Sequence, residues 1–173
     1  MKSNIPGFTL IELLIVMAIL SSLVGLVAGG FRSSQMRGRD AQRKSDLKQI
    51  ANALELLSSD HNKYPDDAAG LIKACPFDAA GITSTNCPWG LGSMSDGKTS
   101  YLKEMPEDPA VGISYYYRIV PGSSNQKFQL FARLENPKDG SCIDGNCVNP
   151  TSYSCGSQIC NFAVTSANTN YTE

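Results

Sequence analysis

Glu12 is the residue whose chemistry first asks for an explanation. It is the only charge in residues 8–31, an otherwise apolar run. An ionised Asp, Lys or Arg in the middle of a membrane span costs roughly 2.5–3.5 kcal/mol, and intramembrane charges are retained where they have a partner or a function. The run itself offers Glu12 no cation. The second reactive set is six cysteines, Cys75, Cys87, Cys142, Cys147, Cys155 and Cys160, all in the second half of the chain. An even count in a polar, loop-rich region reads as disulfides and places that half in an oxidising compartment. Six thiols allow fifteen pairings; the short intervals favour neighbours, Cys75 with Cys87, Cys142 with Cys147 and Cys155 with Cys160. Zinc is disfavoured, because the tail has C-x4-C units where ribbon sites use C-x2-C. His61, the single histidine, has no thiol or acid partner evident in the sequence and reads as a surface turn residue. No nucleophile–base set or phosphate-cradling glycine loop is visible, so no catalytic residue is assigned.

The elements that must position these residues begin with the apolar run, which at about 24 residues would reach about 36 Å as a helix, enough to cross a bilayer. Three readings compete for it. It could be a secretory signal peptide, with Lys2 as its basic start and "LVAGG" as its cleavage region. It could be a permanent single-span anchor, and a third reading comes from the resemblance of its first residues to a known family. Beyond it, Met36, Leu47, Ile50, Leu54 and Leu57 fall mainly at spacings of three and four, an amphipathic pattern that continues the first helix. One helix over about residues 8–58 is expected, with Gly25, Gly29 and Gly30 as soft points. In "SSDHNKYP", Asn62 suits a left-handed turn and Pro65 blocks continuation.

Residues 66–112 are rich in turn formers and show little periodicity beyond a short helical turn expected at 68–74. A Cys75–Cys87 bridge would staple this stretch, with Trp89 covering it or facing another subunit. "ISYYYRIV" and "KFQLFARL" flank the turn-forming "PGSSNQ" and read as a hairpin. Alternation puts Phe128, Leu130, Ala132 and Leu134 on one face, to be packed on Leu47, Ile50, Leu54 and Leu57. The tail from residue 135 is polar and holds the C-x4-C units. Fifteen basic against sixteen acidic side chains leave a net charge of −1, so no field directed at nucleic acid is present. Tyr115, Tyr116 and Tyr117 have no basic groove beside them and read as core and contact residues rather than base-stacking ones.

The stretch "PGFTLIELLIVMAIL" resembles the N-terminal signature of type IV pilins and the pseudopilins of type II secretion. The resemblance implies a leader over residues 1–7, cleavage by the prepilin peptidase after Gly7, and N-methylation of Phe8. Residues 8–31 would then be both membrane anchor and filament core, and residues 32–173 the periplasmic or extracellular globular domain, including the amphipathic helix over about 32–58. Glu12 matches the family's acid at the fifth mature position, which pairs with the terminal amine of a neighbouring subunit. "YLKEMPEDP" resembles the segment before the sheet in the major pseudopilins. Those proteins bind calcium in a loop near "KDGSCIDGN", which makes Asp139, Ser141 and Asp144 calcium candidates over an incomplete pattern; otherwise no cofactor is expected and the loop reads as a disulfide-closed turn.

The implied fold class is α+β, pilin-like, with a long N-terminal helix packed on a small antiparallel sheet and disulfide-bonded loops. The implied role is structural: a self-polymerising type IV pilus subunit, or alternatively a pseudopilin of type II secretion, or a minor pilin or binding module. The implied partners are other copies of the chain, the prepilin peptidase, an inner-membrane assembly platform with its ATPase, and the membrane before assembly. One conflict stands. Arg32, Arg37, Arg39, Arg43 and Lys44 follow the span, where the positive-inside rule favours the cytoplasm, whereas the cysteines require the opposite side.

Overall fold

The computed structural model describes residues 7–145, 147 and 151–173, with the side chains of 26–29 and 144 excluded. The expected leader therefore lies outside the described residues except for Gly7, as does the side chain of Asp144. Helix α1 runs Leu10–His61. It starts where Thr9 can cap it and ends where Asn62 takes a left-handed φ of 59° and returns its N–H to the carbonyl of Ser58 at 2.7 Å. No single described helix is long and apolar enough to cross a membrane, but Leu10–Gly25 and Gly30–His61 pass together as a bent pair, by length and composition.

The chain forms two compact units, the first ending at Gly38 and the second covering Arg39–Glu173. In the first, the apolar side chains of residues 10–25 are exposed: Leu10 is 79% exposed and Ile19 56%. Two of its hydroxyls are satisfied locally, Ser21 donating to the carbonyl of Met17 at 2.7 Å and Ser34 to that of Gly30 at 3.1 Å.

In the second unit the strands are β1 Asp67–Ala68, β2 Leu71–Lys73, β3 Asn86–Cys87, β4 Met94–Ser95, β5 Ser100–Leu102, β6 Tyr116–Ile119, β7 Phe128–Ala132, β8 Ser154–Cys155, β9 Gln158–Ile159 and β10 Phe162–Thr165. The main sheet is antiparallel in the order β10-β7-β6, with Tyr116 opposite Phe131 and Phe162 opposite Ala132. The hairpin β6–β7 is the one expected from the aromatic and β-branched runs. Strand β10 corrects the reading of the tail as merely polar: "NFAVTS" pairs with the free edge of β7.

Leu47, Ile50, Leu54 and Leu57 of α1 are fully buried in one core with Phe128, Leu130, Ala132 and Leu134. Burying each such side chain contributes about 1.5–3 kcal/mol. Alternation predicts one buried face on β7, but all five of its residues are buried. The other face carries Phe131, covered by Ile143 and the Cys155–Cys160 bridge, with Tyr116 and Tyr153 packed against that cluster.

The helical turn expected at 68–74 is instead the hairpin β1–β2, extended by β3. Ala69 and Gly70 both have positive φ, 50° and 84°, the backbone of a tight two-residue hairpin turn rather than of a helix. Trp89 is half-buried and meets Tyr115 edge-on, ring centroids 5.7 Å apart.

Candidate assembly site and its supporting charges

Thr9 and Glu12 form the start of α1. The backbone N–H of Glu12 faces Thr9 Oγ1 at 3.4 Å, and Thr9 Oγ1 faces Glu12 Oε2 at the same distance. With Thr9 at the N-cap and Glu12 three positions on, the spacing is that of a capping box. An acid in the first turn also lies at the positive end of the helix dipole. The carboxylate that looks isolated in the sequence is therefore placed where a helix terminus favours an anion. Gly7 and Phe8 precede it without secondary structure, and Phe8 is 80% exposed. The structure thus brings Phe8, Thr9 and Glu12 together at one end of the apolar surface.

The cysteines are bonded to their neighbours in sequence: Cys75–Cys87, Cys142–Cys147 and Cys155–Cys160, each pair with Cα atoms 5.1 Å apart. The first bridge ties the loop after β2 to β3. The second closes the loop after residue 139, and the third closes the β8–β9 hairpin.

Sequence reading missed the largest buried charge cluster. Arg43 is fully buried. Its guanidinium makes a two-pronged bond to Asp108, Nε to Oδ2 and Nη2 to Oδ1, both 2.7 Å, and donates to Asp40 Oδ1 at 2.9 Å. It also pairs with Glu135 at 2.8 Å. Asp40 in turn accepts the backbone N–H groups of Glu135 and Asn136 at 2.9 and 2.8 Å, and Asp108 accepts that of Ala110 at 2.9 Å. One arginine on α1 thus joins the "YLKEMPEDP" segment to the chain leaving β7. Burial opposes the Arg43 charge, but the bonds to Asp108 and Glu135 prevail and hold its pKa above the ordinary value. The hydrogen bond from Arg39, with help from Arg43, holds Glu135 down to about 2. The available sequence signal was Arg43 on the stripe that carries Leu47, Ile50 and Leu54, an apolar side on which a solvated cation does not belong.

Beside this cluster Tyr115 donates to Asp46 Oδ2 at 2.7 Å. Burial raises the pKa of both groups. Tyr117 donates to the carbonyl of Pro65 at 2.7 Å, and Tyr116 stacks on Tyr153 with centroids 5.2 Å apart. Tyr115 and Tyr117 are buried, and Tyr116 is half-buried against Tyr153. Lys44 reaches both oxygens of Asp139, at 2.7 and 2.8 Å. Of the five cations after the apolar run, Arg39, Arg43 and Lys44 are therefore paired within the folded unit.

His61 departs from its reading as a residue with no acid partner: its Nε2 lies 3.1 Å from Asp96 Oδ2, an acid 35 residues away that the fold brings to it. The Tyr101 hydroxyl lies 2.8 Å from a carboxylate oxygen of Asp60 and 3.2 Å from one of Asp96, and donates its single proton to one or the other. Asp96 is held below the usual carboxylate range chiefly by the N–H groups of Thr99 and Lys98. The arrangement fastens the end of α1 to the β4–β5 turn.

A long helix with a capped, exposed apolar start, set on a small antiparallel sheet with stapled loops, is the α+β architecture of a pilin-like protein. The prokaryotic N-terminal methylation motif matches residues 2–28. The type II secretion system core protein G of Pseudomonas aeruginosa is 34% identical over 134 residues, 78% of this chain and 86% of that protein. That of Aeromonas hydrophila is 33% identical over 108 residues, covering 62% and 69%, and that of Vibrio cholerae 28% over 116 residues, covering 67% and 71%. The chain belongs to the family of pilins and type II secretion pseudopilins. These relatives are secretion core proteins, which favours the pseudopilin alternative over the surface pilus subunit that the N-terminal signature equally suggests. No solved structure matches the chain significantly.

Proposed function

We propose that the chain is a structural subunit of a type II secretion pseudopilus. It is held in the cytoplasmic membrane as a precursor, cut after Gly7 by the prepilin peptidase, methylated at Phe8 and polymerised through α1 into a periplasmic filament. The observation that carries this reading is the extent of the likeness to core protein G. An alignment of 134 residues reaches far past the 2–28 motif and must include the globular unit.

The chemistry of assembly follows from the apolar surface and Glu12. Polymerisation buries the exposed side chains of residues 8–24 against other copies, a hydrophobic driving force that needs no catalytic group. The amine of a mature Phe8 is a base and the side chain of Glu12 an acid, so the two ends of this segment carry complementary groups. Each satisfies the other between subunits. The disulfides suit a globular unit outside the cytoplasm, and an ATPase with its inner-membrane platform supplies the work of extraction. A second reading, a subunit of a surface type IV pilus, draws support from the three bridges, which suit a fibre exposed outside the cell.

Deleting the gene separates the two. The expected result is loss of exoprotein secretion with surface fibres retained; lost fibres with normal secretion establish the second reading. Mass spectrometry of the mature chain is expected to find methylated Phe8 at its terminus. An intact Met1, or cleavage near Ala28, overturns the assembly scheme.

A further inference from the structure

The family resemblance implies a calcium ion near residues 139–144; of the three candidate donors Asp139 and Ser141 are already engaged by a protein cation, and the side chain of Asp144 lies outside the described residues. Calcium takes six to eight oxygen ligands, with several carboxylates among them. Among the described residues no cluster of three or more metal-type donors occurs. Asp139 is already committed: its Oδ1 accepts the N–H of Ser141 at 2.9 Å, and both its oxygens take the Lys44 ammonium at 2.7 and 2.8 Å. Lys44 also donates to Ser141 Oγ at 3.1 Å. The ammonium thus occupies the point where Asp139 and Ser141 converge.

We propose that Lys44 is a built-in cation for this loop, doing from α1 what a divalent ion does elsewhere, so that the loop folds without calcium. A lysine offers three donors around a compact charge, and here all three contacts are oxygens of the loop. Among the described residues, a disulfide and backbone bonds also hold the loop. Cys142 is bonded to Cys147, the N–H of Ile143 reaches the carbonyl of Asn161 at 2.9 Å, and that of Cys142 reaches the carbonyl of Asp139 at 3.2 Å. Asp40 holds the loop's start through the N–H of Asn136. Because Lys44 is on α1, the cation also fastens the loop directly to the helix, which a free ion cannot do. The consequence is a subunit whose fold is indifferent to the calcium concentration around it, and this holds whether the filament is a pseudopilus or a pilus.

The test uses the full chain in detergent, unfolded thermally in calcium chloride and in a calcium chelator, with Lys44→Met and Lys44→Arg alongside. The wild type is expected to melt at the same temperature in both conditions. Lys44→Met is expected to melt about 3–5 °C lower and to be cut faster by protease within 136–147. Lys44→Arg, which keeps the charge, recovers most of the loss. A wild-type melting temperature that rises in calcium, or a Lys44→Met loop as resistant to protease as the wild type, overturns the proposal.

Discussion

Glu12 faces the amides of its own first turn through Thr9, so it has a role in one subunit before it has one between subunits. A helix terminus in lipid has no water to satisfy its first N–H groups, which makes a cap there worth more than on a soluble surface. Glu12→Leu is expected to insert and to be processed, because neither step uses the carboxylate, yet to yield few filaments. N-terminal mass spectrometry and the amount of sheared or purified filament read the two halves, and normal assembly refutes the pairing with Phe8. Arg43 is the opposite case, a charge that the sequence shows only as one of the cations after the apolar run. Arg43→Met keeps the side-chain volume and strands Asp108, whose carboxylate is fully buried. The expected loss is about 3–5 kcal/mol, measured by urea unfolding of the second unit. The residues were all readable, but their pairing was not: Arg43 and Asp108 are 65 positions apart, and no local pattern joins them.

The element that best repays a backbone argument is the β1–β2 hairpin. Its turn residue Gly70 has φ +84°, and a Cβ added there lies 2.5 Å from Cδ2 of Tyr116. That ring is stacked on Tyr153, which limits its escape. The carbonyl of Gly70 accepts the N–H of Tyr117 at 2.9 Å, so the turn also carries the edge of the main sheet. Gly70→Ala is expected to destabilise the unit by about 1–3 kcal/mol, seen as a lower urea midpoint with an unchanged slope. The long helix and the β6–β7 hairpin were plain in the sequence because periods of 3.6 and 2 run through them for many residues. Strands of two or three residues, such as β1 and β3, are too short to show a period; "DAAGLIKA" reads as well as helix as it does as hairpin. Strand β10 was hidden by its setting, since its four residues, three of them β-favouring, follow a cysteine pair and precede a polar terminus. The second buried face of β7 was hidden for the same reason: what covers it comes from the tail.

At the scale of the whole molecule, charge pairing sets the response to acid. Glu135 is depressed from 4.5 to about 2 in the folded state, and Asp139 and Asp96 are also lowered by their partners. A carboxylate depressed on folding contributes stability that is fully present above its unfolded value and lost as pH falls through its folded one. Unfolding free energy is therefore expected to fall between about pH 4.5 and pH 2. Asp46, whose pKa burial raises, contributes with the opposite sign and blunts the fall. Glu135→Gln is expected to be less stable at neutral pH and to lose stability more gently below pH 4.5, as read from urea titrations at a series of pH values. An unchanged slope in that variant rules Glu135 out as the acid-sensitive group. The same pairing bears on the orientation conflict: in the folded unit Arg39, Arg43 and Lys44 present neutralised clusters rather than a basic flank, whereas the sequence displays only the bare count.

The three bridges close intervals of 12, 5 and 5 residues, and none overlaps another along the chain. A chain exported with its amino-terminal end in the membrane delivers its thiols to the far side in order, and each native partner is the next thiol to arrive. Oxidation in order of emergence is then already correct. With the globular unit exported as proposed, the spacing of the cysteines would make export itself the proofreader, and a thiol oxidant would suffice where interleaved bridges would call for an enzyme that reshuffles them.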